Sequence, residues 1–160
     1  MVSIDRAQEL LDEIAEELPT EFFDGLNGGI ILSNEAKVHS ESVDDDLFIL
    51  GEYEWDHFLG SIIILYYGSF KEVFGNMSET KIKKELRKTL LHEFTHHLEA
   101  RGGVNELERK DRRYLNEYIN KKLQKNKRSD GGFYGKDNPA KKTSKTNVLR
   151  KRYPANKSEL

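Results

Sequence analysis

Two histidines and a glutamate form the pattern H-E-x-x-H in this chain, at His92, Glu93 and His96. Residues four apart on a helix lie one above the other on the same face, so two imidazoles in this pattern can hold one Zn²⁺. Glu93 would then be placed to take a proton from a metal-activated water, as the general base of a peptidase. Because so short a pattern also occurs by chance, the surrounding sequence has to support it.

The residues around the pattern predict the helix that this chemistry requires. Ser78 is a suitable N-cap. Apolar residues then recur at every fourth position, at Ile82, Leu86, Leu90 and Phe94. At about 100° per residue, His97 falls in the middle of this apolar stripe, whereas His92 and His96 fall beside it. We therefore expect His97 to be packed in the core with a backbone or carboxylate partner, and the other two histidines to border a cleft.

Composition and charge divide the chain into two parts. The 160 residues include no cysteine, so any metal must be held by His, Asp or Glu. Residues 121–160 contain 13 Lys and Arg against 3 Asp and Glu, whereas residues 1–120 contain 13 against 25. We expect one folded domain over residues 1–120, followed by a basic and largely disordered tail over residues 121–160.

The sequence predicts neither a membrane span nor a secretory signal. Its longest apolar run, residues 62–67, is too short to cross a bilayer, and the first residues lack the basic and apolar regions of a signal peptide. A cytoplasmic protein is the resulting expectation. The basic tail carries no recognised nucleic-acid-binding motif, so we do not expect nucleic acid as a partner, although the charge of the tail leaves this open.

The remaining segments predict an α+β fold. Helical spacing covers residues 4–18, and a further helix is expected from the N-cap Asn105 to about Leu123. β-branched and aromatic runs predict strands over residues 28–32, 47–53 and 61–67, and a short helix follows over residues 69–74. The acidic run Asp44-Asp45-Asp46 is expected to be a solvated loop.

In this order, the segments resemble the small bacterial zincin-like metallopeptidase family. The landmarks are Leu18-Pro19 with Phe22, Leu50-Gly51-Glu52-Tyr53, the strand leading to Gly68-Ser69-Phe70, and the segment from Thr89 to His97. The resemblance implies a minimal zincin fold, in which a small mixed sheet packs on the helix that carries H-E-x-x-H. It also implies one Zn²⁺ per chain and a peptide or protein substrate that pairs with the edge strand of the sheet.

The third metal ligand is the point at which this chain departs from the family. Shorter members continue with H-x-x-G-x-x-D, whose last acid is the expected ligand, but six residues after His96 this chain has Gly102. The candidates are Glu99, Glu106, Glu108 and Asp111. Glu108 and Asp111 share one face of the following helix and approach from a direction different from that of the histidines. We predict Glu108 as the ligand and Asp111 as the carboxylate that orients a ligating histidine, or as the alternative ligand.

The prediction for function is a zinc-dependent metallopeptidase that hydrolyses peptide bonds with Glu93 as the general base. The alternative is a catalytically silent metal-binding or protein-binding module on a zincin scaffold, because a fold does not guarantee an activity. A metal-dependent ribonuclease fits less well, since such enzymes need a third histidine where this chain has Gly102.

Overall fold

Four helices and five short strands make up residues 2–129, the part of the chain that the computed structural model describes. Helix α1 (Ile4–Glu16) and a 3-10 turn (Thr20–Phe23) precede strands β1 (Gly29–Ser33), β2 (Lys37–Val38), β3 (Phe48–Ile49), β4 (Gly51–Asp56) and β5 (Gly60–Tyr66). Helices α2 (Tyr67–Phe74), α3 (Glu79–Gly102) and α4 (Glu106–Ser129) follow. The predicted α+β class is confirmed.

A three-stranded mixed sheet lies at the centre of the fold, in the order β1-β5-β4. Strand β5 pairs in parallel with β1 and antiparallel with β4, while β2 and β3 form a separate antiparallel pair. The strand predicted over residues 61–67 is therefore the central strand, which is buried against both neighbours. The edge strand that lies beside α3 is β4.

Helix α3 packs under this sheet through the apolar stripe that its sequence predicts. Leu86, Leu90 and Phe94 are fully buried, and the Phe94 ring lies 5.1 Å from the ring of Phe23. His97, in the same stripe, is fully buried as well, and its Nε2 donates a hydrogen bond to the main-chain oxygen of Asp24 at 2.9 Å. The prediction of a packed histidine with a backbone partner is confirmed.

Helix α3 ends at Gly103, which has a left-handed φ of 69° that favours glycine. Helix α4 then runs to Ser129, so residues 121–129, which we expected to belong to a disordered tail, are helical. Residues 130–160 lie outside the described part of the chain. None of the helices within residues 2–129 is long and apolar enough to cross a membrane.

We expect Leu90→Ala to lower the free energy of unfolding by about 2–5 kcal/mol, because it opens a cavity under the sheet. Leu91→Ala is the matched control, since the neighbouring Leu91 is 37% exposed and its loss should cost less than about 1 kcal/mol. Urea unfolding followed by circular dichroism measures both. Equal losses in the two variants would contradict the packing described for α3.

Candidate metal centre

The two histidines of H-E-x-x-H meet a carboxylate from the next helix. His92 and His96 stand one turn apart on α3, and each Nε2 contacts the same Oδ2 of Asp111 on α4, at 3.0 Å and 3.1 Å. The side chains are largely shielded, with exposed fractions of 8% for His92, 22% for His96 and 27% for Asp111. The three residues therefore form a compact donor group at the junction of the two helices.

This donor group could hold a metal ion, and its composition and spacing suit zinc. Two ligand atoms held at 2.0–2.1 Å from a tetrahedral ion lie about 3.3 Å apart, and both histidine–aspartate separations are close to that value. The donor atoms of the three residues all lie within 4.8 Å of one another. Two nitrogens and one oxygen would leave a fourth position for water or substrate, which is the arrangement of catalytic rather than structural zinc sites.

Among the four acids considered as third ligand, the structure brings Asp111 to the histidines. Glu108 lies one helical turn earlier on α4, where it is exposed and lines the adjoining cleft. Glu99 accepts a hydrogen bond from the main-chain N–H of Leu107 at 2.9 Å, so it caps the start of α4. Glu106 is exposed. The geometry thus favours Asp111 as ligand, the alternative in our prediction, over Glu108.

Glu93 lies under the edge strand of the sheet. Its side chain is only 2% exposed, and a Cβ atom on Gly51 of β4 would stand 3.0 Å from its Cγ. The same Cβ would stand 2.8 Å from Cγ2 of Thr89. Glycine at position 51 is therefore what allows β4 to pass directly over the glutamate.

A cleft of about 490 Å³ opens beside these residues. It is bordered by β4, by α3 from Glu93 to Ala100 and by the first turns of α4. The main-chain N–H of Tyr66 donates a hydrogen bond to the main-chain oxygen of Leu50. Along an antiparallel pair of strands, residue pairs that are hydrogen-bonded to each other alternate with pairs that are not. In this register Gly51, Tyr53 and Trp55 belong to the pairs that are not. The main-chain groups of Gly51, Tyr53 and Trp55 therefore point away from β5, towards the free edge of the sheet.

Comparison with known proteins finds a solved structure that this chain resembles. A conserved hypothetical protein from Thermo thermophilus superposes with a TM-score of 0.54 at 35% sequence identity. The match covers 63% of this chain and 98% of that protein. The chain belongs to the same family as this protein. No protein-family model and no curated protein matches the chain.

The description of that protein names no activity, so the chemistry has to be argued from the side chains around the cleft. Glu52 is a second carboxylate on β4, and it accepts hydrogen bonds from the Lys37 ammonium and, at 2.7 Å, from the Tyr66 hydroxyl. Burial alone would raise the pKa of Glu52, but these two donors outweigh it and leave the pKa lowered. Glu52 is thus a paired carboxylate, and Glu93 is the better candidate for a base.

The sequence did not reveal how closely β4 approaches α3, or which acid lies level with the histidines. The segment around Gly51 stood out only as a landmark of the family resemblance. A glycine inside a predicted strand does indicate a close approach of another group, and this was the available signal. No comparable signal separates Asp111 from Glu108, because both lie on the same face of α4.

Asp111→Asn is expected to weaken zinc binding by more than about 100-fold, since it removes a ligand charge rather than a supporting contact. Glu108→Gln is the matched control, because it also neutralises one carboxylate of α4 at constant volume, and it should stay within about threefold of wild type. Competition with a chromophoric chelator measures both constants. A larger loss of zinc affinity in Glu108→Gln than in Asp111→Asn would indicate that Glu108 is the ligand.

Proposed function

We propose that this chain is a zinc-dependent peptidase with a minimal zincin-like fold, acting on a peptide or protein substrate. The observation that carries the proposal is the meeting of His92, His96 and Asp111 at ligand spacing, beside a buried Glu93 and a free strand edge. The resemblance of the sequence to zincin-like peptidases supports the same conclusion. A cytoplasmic location stays a prediction.

In this proposal one Zn²⁺ would be held by His92, His96 and Asp111. A zinc ion bound there supplies a Lewis acid that polarises a carbonyl group and acidifies water. Glu93 is adjacent to His92 in sequence and lines the cleft next to His96. In the proposed reaction Glu93 takes the proton from the attacking water and then passes it to the departing amine, so that the carboxylate ends each cycle unchanged.

The free edge of β4 supplies a means of holding the substrate. An extended peptide can add to a sheet edge through main-chain hydrogen bonds, which bind many sequences with little dependence on their side chains. The outward-facing groups of Gly51 and Tyr53 are available for such pairing, and Gly51 lies directly over Glu93. A peptide paired there would have its main chain beside the proposed base.

Metal analysis tests whether the chain binds zinc as proposed. Protein purified without added zinc is expected to contain close to one equivalent, and His92→Ala should lose most of it because two ligands cannot retain the ion. Less than about a tenth of an equivalent in wild type, unchanged in His92→Ala, would refute the metal site.

Glu93→Gln tests the proposed role of Glu93 as the general base. This variant should keep its zinc and lose cleavage of a mixed peptide pool by at least about 100-fold, because the amide cannot accept the proton. Mass spectrometry of the pool measures the cleavage. A wild-type protein that binds zinc and cleaves nothing would instead support the catalytically silent metal-binding module.

Gly51→Ala should lower the cleavage rate by about tenfold or more, because the added methyl displaces the Glu93 side chain. Zinc affinity should stay within about twofold of wild type, since none of the three proposed ligands is among the atoms nearest that methyl. Gly102→Ala is the control, because its Cβ would meet nothing closer than Val104 at 3.8 Å. Unchanged cleavage in Gly51→Ala would argue against the assigned position of Glu93.

A further inference from the structure

Helix α4 carries Asp111 and contacts α3, the helix that carries the histidines. Near its start, α4 meets α3 through Asp111 itself and through the bond from Leu107 to Glu99. The other buried contacts of α4 lie further along the helix. The contacts of the rest of α4 therefore also bear on the position of Asp111.

The segment between β2 and β3 holds α4 from the other side. Leu115 and Tyr118 of α4 are buried and pack against Leu47. The Tyr118 hydroxyl donates a hydrogen bond to Asp46 at 2.6 Å and accepts one from the main-chain N–H of Val43 at 3.2 Å. These contacts tie two turns of α4 to one loop.

Lys122 completes this attachment one turn further on. Its side chain is only 9% exposed, and its ammonium pairs with the carboxylates of Asp44, at 2.6 Å, and Asp46. Burial would lower the pKa of Lys122, but the two carboxylates outweigh it and leave the pKa raised, so the group is an ammonium ion. The acidic run that we expected to be solvated thus binds a cation of the chain itself.

Four residues of α4 follow one another at spacings of four, three and four and so share one face of the helix: Asp111, Leu115, Tyr118 and Lys122. The helix is continuous between these residues. Contacts that fix the position of Lys122 along the helix axis and around it therefore also fix that of Asp111, which lies about 16–17 Å away along the axis. The loop itself is anchored, because the N–H of His39 bonds to the oxygen of Leu47 at 2.8 Å and Phe48 packs on the main core.

We propose that Lys122, paired with Asp44 and Asp46, is a positioning residue that sets α4 at the height and rotation at which Asp111 meets His92 and His96. The proposal rests on the metal site proposed above. It adds that the affinity of this site for zinc is determined partly by a buried ion pair about three turns of helix away from it.

Zinc titration of the full chain tests the proposal in wild type and in Lys122→Met. The variant should bind zinc about 10- to 100-fold more weakly, as is usual when a group that orients a ligand is removed. Lys121→Met is the matched control, because it removes the same charge from the adjacent, exposed position. It should bind zinc as wild type does, and Lys122→Arg should recover most of the lost affinity.

A double-mutant comparison separates positioning from a general loss of structure. In an Asp111→Ala background the ligand is already absent, so adding Lys122→Met should weaken the remaining zinc binding by less than about threefold. The same loss in both backgrounds would overturn the proposal, as would wild-type affinity in Lys122→Met. Should Lys122→Met not fold, Asp46→Asn tests the same ion pair at nearly constant volume.

The outcomes also distinguish this proposal from the metal site itself. A wild-type chain that takes up no zinc refutes both. A wild-type chain that binds zinc, alongside a folded Lys122→Met that binds it equally well, refutes only the role of Lys122.

Discussion

The carboxylate oxygen that two imidazoles share is the contact on which the arrangement of the helices depends. An α-helix can present two ligands from one face, but a third ligand for a tetrahedral ion usually has to approach from another direction. In this chain α4 approaches from such a direction, and its Asp111 contacts both His92 and His96. The turn at Gly103, the Glu99 cap and the loop between β2 and β3 all serve to bring α4 back to α3.

The sheet imposes the second constraint, because it covers the glutamate between the histidines. Strand β4 comes so close to α3 that only glycine fits over Glu93. Two residues further along the strand, the ring of Tyr53 lies against that of the buried His97 at 5.3 Å. One residue without a side chain and one with an aromatic ring thus set the spacing between strand and helix.

Periodicity in the sequence predicted the features that depend on one element alone. The apolar stripe of α3 predicted that His97 is buried and that His96 borders the cleft, whereas His92 is not among the residues that line it. β-branched runs located β1 and β5. The height of α4 along α3 depends on contacts between elements, which is why Asp111 could not be separated from Glu108. The pairing of Lys122 with Asp44 and Asp46 was missed for the same reason, since a run of like charges gives no sign of a partner 76 residues away.

An open strand edge exposes a protein to self-association, because a second copy can pair with it as readily as a peptide can. If two β4 edges paired antiparallel about Tyr53, Glu52 of each copy would lie opposite Glu54 of the other. Like charges directly opposite one another destabilise such a ladder. A peptide without acids at those positions meets no such repulsion. We therefore expect Glu52 and Glu54 to disfavour pairing of this edge with a second copy of the chain more than pairing with such a peptide.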